Sequence, residues 1–204
     1  MSVPLLIASH NEGKIREFRA ALATLSAPVL SLADVHITSV VEETGKSFKD
    51  NAILKAEEYG RIARVVCLAD DSGLEIDALN GEPGPQSARY AGIQATDAER
   101  VELVLKKMRG IPGPLRSARF VCVIAVSAPG RPTRAVERHV CGLITREPHG
   151  DRGFGYDPIF FYPPAGRTFA EMTSIEKNAV SHRALALQAA IPLIADLVQA
   201  GILG

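Results

Sequence analysis

The sequence lacks several features that would assign it to particular classes of protein. Its 23 basic and 23 acidic residues cancel, so no net charge attracts the whole chain to nucleic acid or to an anionic membrane surface. It also has no CxxC pair, no HExxH helix and no Ser/His/Asp order, which leaves zinc chemistry and covalent acyl transfer with little support. We therefore expect no nucleic-acid partner, and any anionic ligand must be bound by a local cluster of cations.

Cysteine is scarce and odd in number. Cys67, Cys122 and Cys141 each lie among apolar residues in strand-like segments, which predicts buried, reduced thiols without a catalytic role. The segment VPLLIA at residues 3–8 has no basic leader and is too short for a signal sequence or a membrane span. These features predict a cytoplasmic protein with no membrane partner.

The pattern of apolar residues predicts an α/β fold. The 204 residues contain no internal repeat, low-complexity tract or linker, so we expect one compact unit, with two lobes as an open alternative. Strand-like runs are predicted at residues 3–8, 65–69, 118–128, 133–144 and 159–162, with helices beginning near residues 13, 48, 97 and 174.

The strongest signal for a site lies in residues 65–92. A buried strand, Val65–Ala69, is predicted to stop at Asp70 and Asp71, and a glycine- and proline-rich loop follows at residues 80–85. Ligands of open α/β sheets collect at the carboxyl ends of such strands. If the strand continues through the two aspartates, their side chains point to opposite faces and have different roles.

Two glycine-containing segments are further candidates. Residues 9–14 join a strand to a helix and could bind phosphate through backbone N–H groups, or be an ordinary turn with a solvated lysine. In residues 150–158, Phe154 and Tyr156 could be core residues or a platform for a ligand.

The last predicted helix carries a group of cations. Thr173 and Glu176 form a capping box that opens it. Its inward stripe is predicted to contain Val180, Ala184, Leu187 and Ile191. Lys177 and Arg183 then flank this stripe, His182 is turned further outward, and the two cations beside the stripe can converge on an anion.

These candidates together favour phosphoryl transfer to water. Carboxylates suit Mg²⁺, which keeps several waters and bridges to phosphate oxygens. Cations suit a polyphosphate, and aromatic side chains suit a stacked base. The carboxylates are Glu42, Glu43, Asp70 and Asp71, and the cations are Lys14, Lys55, Lys177 and Arg183.

Five successive motifs resemble those of one family, the inosine/xanthosine triphosphate pyrophosphatases, from about residue 3 to residue 190. They are SHNEGK (9–14), EETGKSFKDNAILKA (42–56), ADDSGLEIDALNGEPGPQSARYAG (69–92), GFGYDPIFF (153–161) and EKNAVSHRALAL (176–187). The resemblance implies a long twisted mixed β-sheet with flanking helices, in two lobes around a central cleft. It also implies Mg²⁺-dependent hydrolysis of ITP, dITP or XTP to the monophosphate and pyrophosphate, usually by a homodimer.

The resemblance assigns roles to particular residues. Asp71 is implied as the base that activates water, and Glu42 and Asp71 as ligands of Mg²⁺, while Asp70 and Glu43 stay unassigned. The residues implied to bind phosphates are Ser9, His10, Asn11, Glu12, Gly13, Lys14, Lys55, Ser72 and Lys177. Those implied to read the base are Phe154, Gly155, Tyr156, Asp157, His182 and Arg183. Ser9-His10 stands where the family commonly has Thr-Gly or Thr-Asn, which leaves the role of His10 open.

Two rival interpretations fit part of the same pattern. A nucleotide pyrophosphatase of the Maf type would prefer modified pyrimidines, and a substrate panel separates it from the first interpretation. A nucleotide-binding sensor without catalysis would keep the phosphate and base residues. Retention of both Glu42 and Asp71 argues against that sensor.

Overall fold

A computed structural model describes residues 3–204, with seven strands and five α-helices in that part of the chain. The strands are β1 (Leu5–Ile7), β2 (Val29–Ser31), β3 (Val66–Ile76), β4 (Ser117–Ser127), β5 (Arg134–Ile144), β6 (Phe160–Tyr162) and β7 (Arg167–Thr168). The helices are α1 (Glu12–Ala21), α2 (Phe48–Ala63), α3 (Asp97–Lys107), α4 (Ser174–Val180) and α5 (His182–Gln199).

The strands form a single mixed sheet in the order β2-β1-β3-β4-β5-β6-β7. β1 pairs in parallel with β2 and β3, whereas β6 pairs antiparallel with β5 and β7. The predicted α/β fold with a mixed sheet and flanking helices is therefore confirmed. The chain also divides into two compact units. Unit 1 contains residues up to 71, 122–138 and 183–204, and unit 2 contains residues 72–121 and 139–182.

Unit 1 packs α1 and α5 against one face of its strands. Ile7 of β1 pairs in register with Leu68 of β3, and both belong to an apolar cluster with Ile124 of β4. Phe18 of α1 and Leu187 of α5 complete the cluster on the same face. Burial of such side chains contributes about 1.5–3 kcal/mol each, so this face stabilises unit 1.

Helix α2 lies against the opposite face of β3. Ser47 caps its first turn by accepting a hydrogen bond from the Asp50 N–H. Gly60 packs so closely on Cys67 that an added Cβ would lie 3.1 Å from the Cys67 Cβ. Since Cys67 and Leu68 are consecutive on a strand, they point to opposite faces, and the two faces of β3 meet different helices.

Unit 2 has a core rich in aromatic rings. Phe160 packs against Phe120 and Phe169 with ring centroids 4.5 Å and 4.9 Å away, distances at which aromatic pairs contribute beyond simple burial. Thr96 and Glu99 form a capping box at the start of α3, whose buried Val104 faces inward.

Three predictions about local structure are wrong. Strand β3 does not stop at the aspartates but continues to Ile76. The last helix is two helices, because Ser181 adopts extended backbone with ψ of 153°. That break shifts the helical phase, so Ile191 is 47% exposed while Ala190 and Ile194 are buried.

The cysteine prediction is confirmed in part. Cys67 and Cys122 are buried, and burial raises the pKa of the Cys67 thiol to about 12. Cys141 is exposed, because successive β5 side chains alternate and its side chain takes the outward position. Within residues 3–204, no helix combines the length and apolar character that crossing a membrane requires.

Candidate active site

Strand β3 separates Asp70 and Asp71 onto its two faces. Asp70 contacts Lys14 of α1 and Arg183 of α5, whereas Asp71 contacts Asn51 and Lys55 of α2. Consecutive side chains of a strand point in opposite directions, which explains the two sets of partners. The expectation that the aspartates differ if the strand continues is thus confirmed.

Asp70 is a buried counter-ion. Its Oδ2 lies 2.8 Å from Lys14 Nζ and 3.5 Å from Arg183 Nε. Burial alone would raise the pKa of Asp70, but the charges of Lys14 and Arg183 outweigh it and hold the pKa well below its usual range. Arg183 also forms an ion pair with Glu17. Asp70 therefore holds two cations in place, a role that the sequence left unassigned.

Asp71 has a different electrostatic environment. Its Oδ2 accepts a hydrogen bond of 3.0 Å from Asn51 Nδ2, and its Oδ1 lies 3.4 Å from Lys55 Nζ. Burial, reinforced by the nearby Glu43 carboxylate, raises the pKa of Asp71 despite the opposing charge of Lys55. A carboxylate with a raised pKa is more basic than usual, which suits a general base.

Asn51 fixes the orientation of Asp71. Its side chain is fully buried, and its Oδ1 accepts a 2.8 Å hydrogen bond from the Gly45 N–H while its Nδ2 donates to Asp71. The Gly45 donor determines which end of the amide faces Asp71. Asn51 and Lys55 are four residues apart on α2 and so share one helix face.

Lys55 links Asp71 to a second carboxylate, and that carboxylate is Glu43. Lys55 Nζ lies 2.7 Å from Glu43 Oε1, whereas Glu42 is exposed. Burial would lower the pKa of Lys55, but the surrounding carboxylates outweigh it and raise the pKa. The ammonium is therefore charged at neutral pH and available to a phosphate.

Tyr59 holds the segment that leads to the glutamates. Its hydroxyl accepts a hydrogen bond from the Val41 N–H and donates one to the Ser39 carbonyl. Nε2 of the exposed His10 lies 3.3 Å from the same hydroxyl. Tyr59 thereby fixes the backbone immediately before Glu42.

The predicted phosphate-binding turn forms the entry to α1. Asn11 is the N-cap, and its side chain accepts a 3.0 Å hydrogen bond from the Lys14 N–H. The Ser9 hydroxyl accepts from the Asn11 N–H. Glu12 and Gly13 occupy the first turn, where helical N–H groups point outward and favour an anion.

Asp157 organises the predicted base-binding loop. Its Oδ2 accepts hydrogen bonds from the Phe154 N–H at 2.9 Å and from Lys177 Nζ at 2.6 Å. The ammonium of Lys177 also lies 4.6 Å from the centroid of the Phe154 ring, a cation–π distance. The structure thus groups Lys177 with this loop, although the resemblance implies that it binds phosphate.

Several other loop residues have structural contacts. The buried Tyr156 hydroxyl donates to the Ser87 carbonyl at 2.8 Å, as a core residue does, while the Gly155 N–H donates to Asp97. His182 is not turned outward as predicted: it is buried and stacks on Phe120 with centroids 4.7 Å apart. It is buried because α5 begins at this residue in a new helical phase.

The carboxylates beside Lys55 fit a hard cation. Within residues 3–204 no group of three or more His, Cys, Asp or Glu side chains could enclose a metal, but Mg²⁺ needs only one or two carboxylates together with substrate phosphates. Asp71 and Glu43 already share the Lys55 ammonium. Ser72 follows Asp71 on β3 and is half-buried.

Sequence reasoning missed three residues that shape this site. They are Asn51, Tyr59 and Glu17, to which the sequence assigned no role. The spacing of Asn51 and Lys55 was the available signal, because a buried amide one turn before a buried lysine needs a polar partner on the facing strand.

The fold and these clusters define the class of the protein. It is an α/β protein whose buried carboxylates and lysines suit a phosphate-bearing ligand. The chain matches the model of the Ham1 family over residues 5–193. It belongs to the Ham1 family, and the family predicted from the five motifs is confirmed.

Similar proteins and solved structures cover nearly the whole chain. A dITP/XTP pyrophosphatase of Bacillus subtilis (strain 168) is 50% identical over 183 residues, which are 90% of this chain and 92% of that protein. Another from Listeria monocytogenes serotype 4b is 43% identical over 96% of both chains. The Ham1 protein of Staphylococcus aureus has a TM-score of 0.85 at 39% identity, covering 95% of this chain and 98% of its own.

Proposed function

We propose that this chain hydrolyses deaminated purine nucleoside triphosphates, namely ITP, dITP and XTP, to the monophosphate and pyrophosphate. The names of the similar proteins support this substrate class. The observation that carries the proposal is the buried Asp71, held by Asn51 and placed beside Lys55. This arrangement supplies a base next to a cation, as attack of water on a phosphate requires.

Asp71 removes the proton from a water that attacks the α-phosphorus, and pyrophosphate leaves. Its raised pKa makes it a better proton acceptor than an ordinary aspartate. Lys55 and Lys14 stabilise the charge that develops on phosphate oxygens. The α1 entry, Ser9–Lys14, and Ser72 donate further hydrogen bonds to the phosphates.

Asp71 is proposed to hold Mg²⁺ together with Glu42, as the resemblance implies. We add Glu43 to these ligands because it contacts Lys55. The bound ion would supply positive charge that neutralises phosphate oxygens. Lys55 then shifts from pairing the two carboxylates to contacting the substrate.

The base is proposed to be read by the loop Phe154–Asp157 with His182 and Arg183. Hypoxanthine and xanthine carry a 6-oxo acceptor where adenine carries an amino donor. Hydrogen-bond donors from His182 and Arg183 therefore favour hypoxanthine and xanthine over adenine. A buried donor left unsatisfied costs about 1–3 kcal/mol, or roughly tenfold to hundredfold in specificity per contact. Lys177 supports the loop through Asp157 and Phe154.

The decisive experiment measures pyrophosphate release from ITP, dITP, XTP, GTP, ATP and a modified pyrimidine triphosphate, with and without Mg²⁺. We expect release from the first three that requires Mg²⁺. A preference for the pyrimidine would favour the Maf type, and nucleotide binding without release would favour a sensor. Light scattering of the purified protein checks the predicted homodimer, and fractionation of the source cells checks the cytoplasmic location.

A further inference from the structure

Unit 2 contains a groove that the proposed reaction does not use. It runs along α3 and the segment 145–158, has a volume of about 630 Å³ and is called here the α3 groove. Val101, Leu105 and Met108 supply apolar lining. A volume of this order lies within the range of about 300–1,000 Å³ typical of small-molecule sites.

Arg116 brings a buried positive charge to the α3 groove. It is 5% exposed, and its guanidinium donates hydrogen bonds of 2.6–2.8 Å to the carbonyls of Met108, Ile144 and Thr145. Those acceptors are neutral, and within residues 3–204 no carboxylate lies in ion-pair range of this guanidinium. Burial lowers the pKa of Arg116, and the charge of Arg146 lowers it further. Two guanidinium groups therefore repel one another at this end of the groove.

The other charged residues of the α3 groove increase the imbalance. Lys106, Arg109 and Arg146 also line it, and in the described part of the chain none forms an ion pair with a carboxylate. Two carboxylates line it as well, Glu102 and Asp97, against the four cations. Asp97 already pairs with Arg100 and accepts from the Gly155 N–H. A chain with no net charge thus concentrates cations around Arg116, at the C-terminal end of α3.

We propose that the α3 groove binds a small phosphorylated molecule, with its phosphate at Arg109, Arg116 and Arg146 and its apolar body along Val101 and Leu105. Guanidinium groups suit phosphate because they present pairs of donors with matching geometry, and the exposed Arg109 and Arg146 can present such pairs. The three nitrogens of Arg116 already donate to carbonyls, so Arg116 contributes positive charge. The apolar lining suits a flat ring or short hydrocarbon attached to that phosphate. Neutralising the repulsion between Arg116 and Arg146 adds to the binding energy.

This site shares one residue with the set assigned to the nucleotide base. Of those residues only Gly155 lines the α3 groove. Phe154, Asp157 and Lys177 contact one another instead. The proposal therefore does not depend on the reaction at Asp71, and its test needs no turnover.

The test is a fluorescence titration with 1-naphthyl phosphate, an aromatic phosphate monoester that fits the volume and the charge. Inorganic phosphate, which lacks the aromatic ring, and 1-naphthol, which lacks the phosphate, are titrated alongside. The variants are Arg146→Ala and Arg109→Ala, since Arg116 supports backbone carbonyls and its loss would disturb folding. Arg138→Ala is the matched control, because Arg138 is exposed on β5 and donates to the Glu137 carbonyl.

We expect saturable binding at one site per chain, weakened about tenfold or more by each groove substitution and within about twofold of wild type in the control. Both half-probes should bind more weakly than 1-naphthyl phosphate. Equal affinity in Arg146→Ala and wild type would overturn the proposal. Complete displacement of the probe by inosine monophosphate would also overturn it. The proposal is likewise wrong if the groove binds no probe and its substitutions change the oligomeric mass.

Discussion

Replacing Asp71 by asparagine should abolish activity without lowering stability. The variant keeps the shape of the side chain and an oxygen that can accept the hydrogen bond from Asn51, whose Nδ2 lies 3.0 Å from the carboxylate of wild type. Lys55 keeps its closer partner, Glu43. It loses the proton acceptor. A positioned general base contributes about 10²–10⁴ in rate, so we expect kcat to fall by that factor, or about 3–5 kcal/mol in activation free energy.

The stability of this variant follows from the direction of the pKa shift. The folded state raises the pKa of Asp71 above its ordinary value of 3.8, so ionisation of Asp71 destabilises the native protein. The stability of wild type relative to Asp71→Asn therefore declines as the pH rises from 3.8 through the raised pKa, and then stays level. At neutral pH the variant should be at least as stable as wild type.

Asp70→Asn is the matched control, because the neighbouring carboxylate has the opposite shift. The folded state lowers the pKa of Asp70, so its ionisation stabilises the native protein above pH 3.8, and this contribution is lost as the pH falls through the lowered pKa. Removing its charge leaves Lys14 and Arg183 without their buried counter-ion. Loss of one partner of a buried pair costs about 3–5 kcal/mol.

The assay measures pyrophosphate release and urea unfolding for wild type and both variants. It covers roughly pH 4 to pH 8, a range that begins near the ordinary pKa of an aspartate. Opposite changes in unfolding free energy for the two variants at neutral pH are expected. If Asp71→Asn retains turnover, or if it destabilises the protein as much as Asp70→Asn does, the roles assigned to the two faces of β3 are wrong.

Three further substitutions test the supporting contacts. Asn51→Ala should lower kcat about 10–100-fold with little change in KM, because Asp71 loses its orienting donor; equal turnover would contradict this. Lys177→Met should destabilise the protein by about 3–5 kcal/mol by leaving Asp157 buried without its ammonium, and adding Asp157→Leu should recover part of that loss in denaturant melts. Arg116→Met should cost about 1–3 kcal/mol per carbonyl left unsatisfied, measured by calorimetry, and an unchanged midpoint would argue against its buried role.

Local signals in the sequence predicted local structure well. The cap at Thr173 was predictable because a side-chain hydroxyl and its backbone partner lie within three residues of one another. The family was predictable for a different reason, since five motifs occur in one order along the chain.

The errors arose where distant residues decide the outcome. Two adjacent aspartates disfavour a strand, yet β3 continues through them because cations from α1, α2 and α5 compensate their charges. The role of Glu43, which the sequence left unassigned, also depends on a distant residue: Tyr59, 18 residues beyond Val41, fixes the backbone that leads to it, and Glu43 contacts Lys55. No pattern within residues 39–43 contains that information.

The placement of both aspartates within a strand makes strand register a condition for activity. Inserting or deleting one residue in β3 ahead of Asp70 would exchange the two carboxylates between faces, so that the counter-ion would lie where the proposed base now lies and the proposed base would lie among Lys14 and Arg183. Composition, net charge and the Asp-Asp pair would all survive such a change. Length variation during evolution or engineering should therefore be confined to loops, and a one-residue shift in β3 should inactivate the enzyme as completely as loss of Asp71.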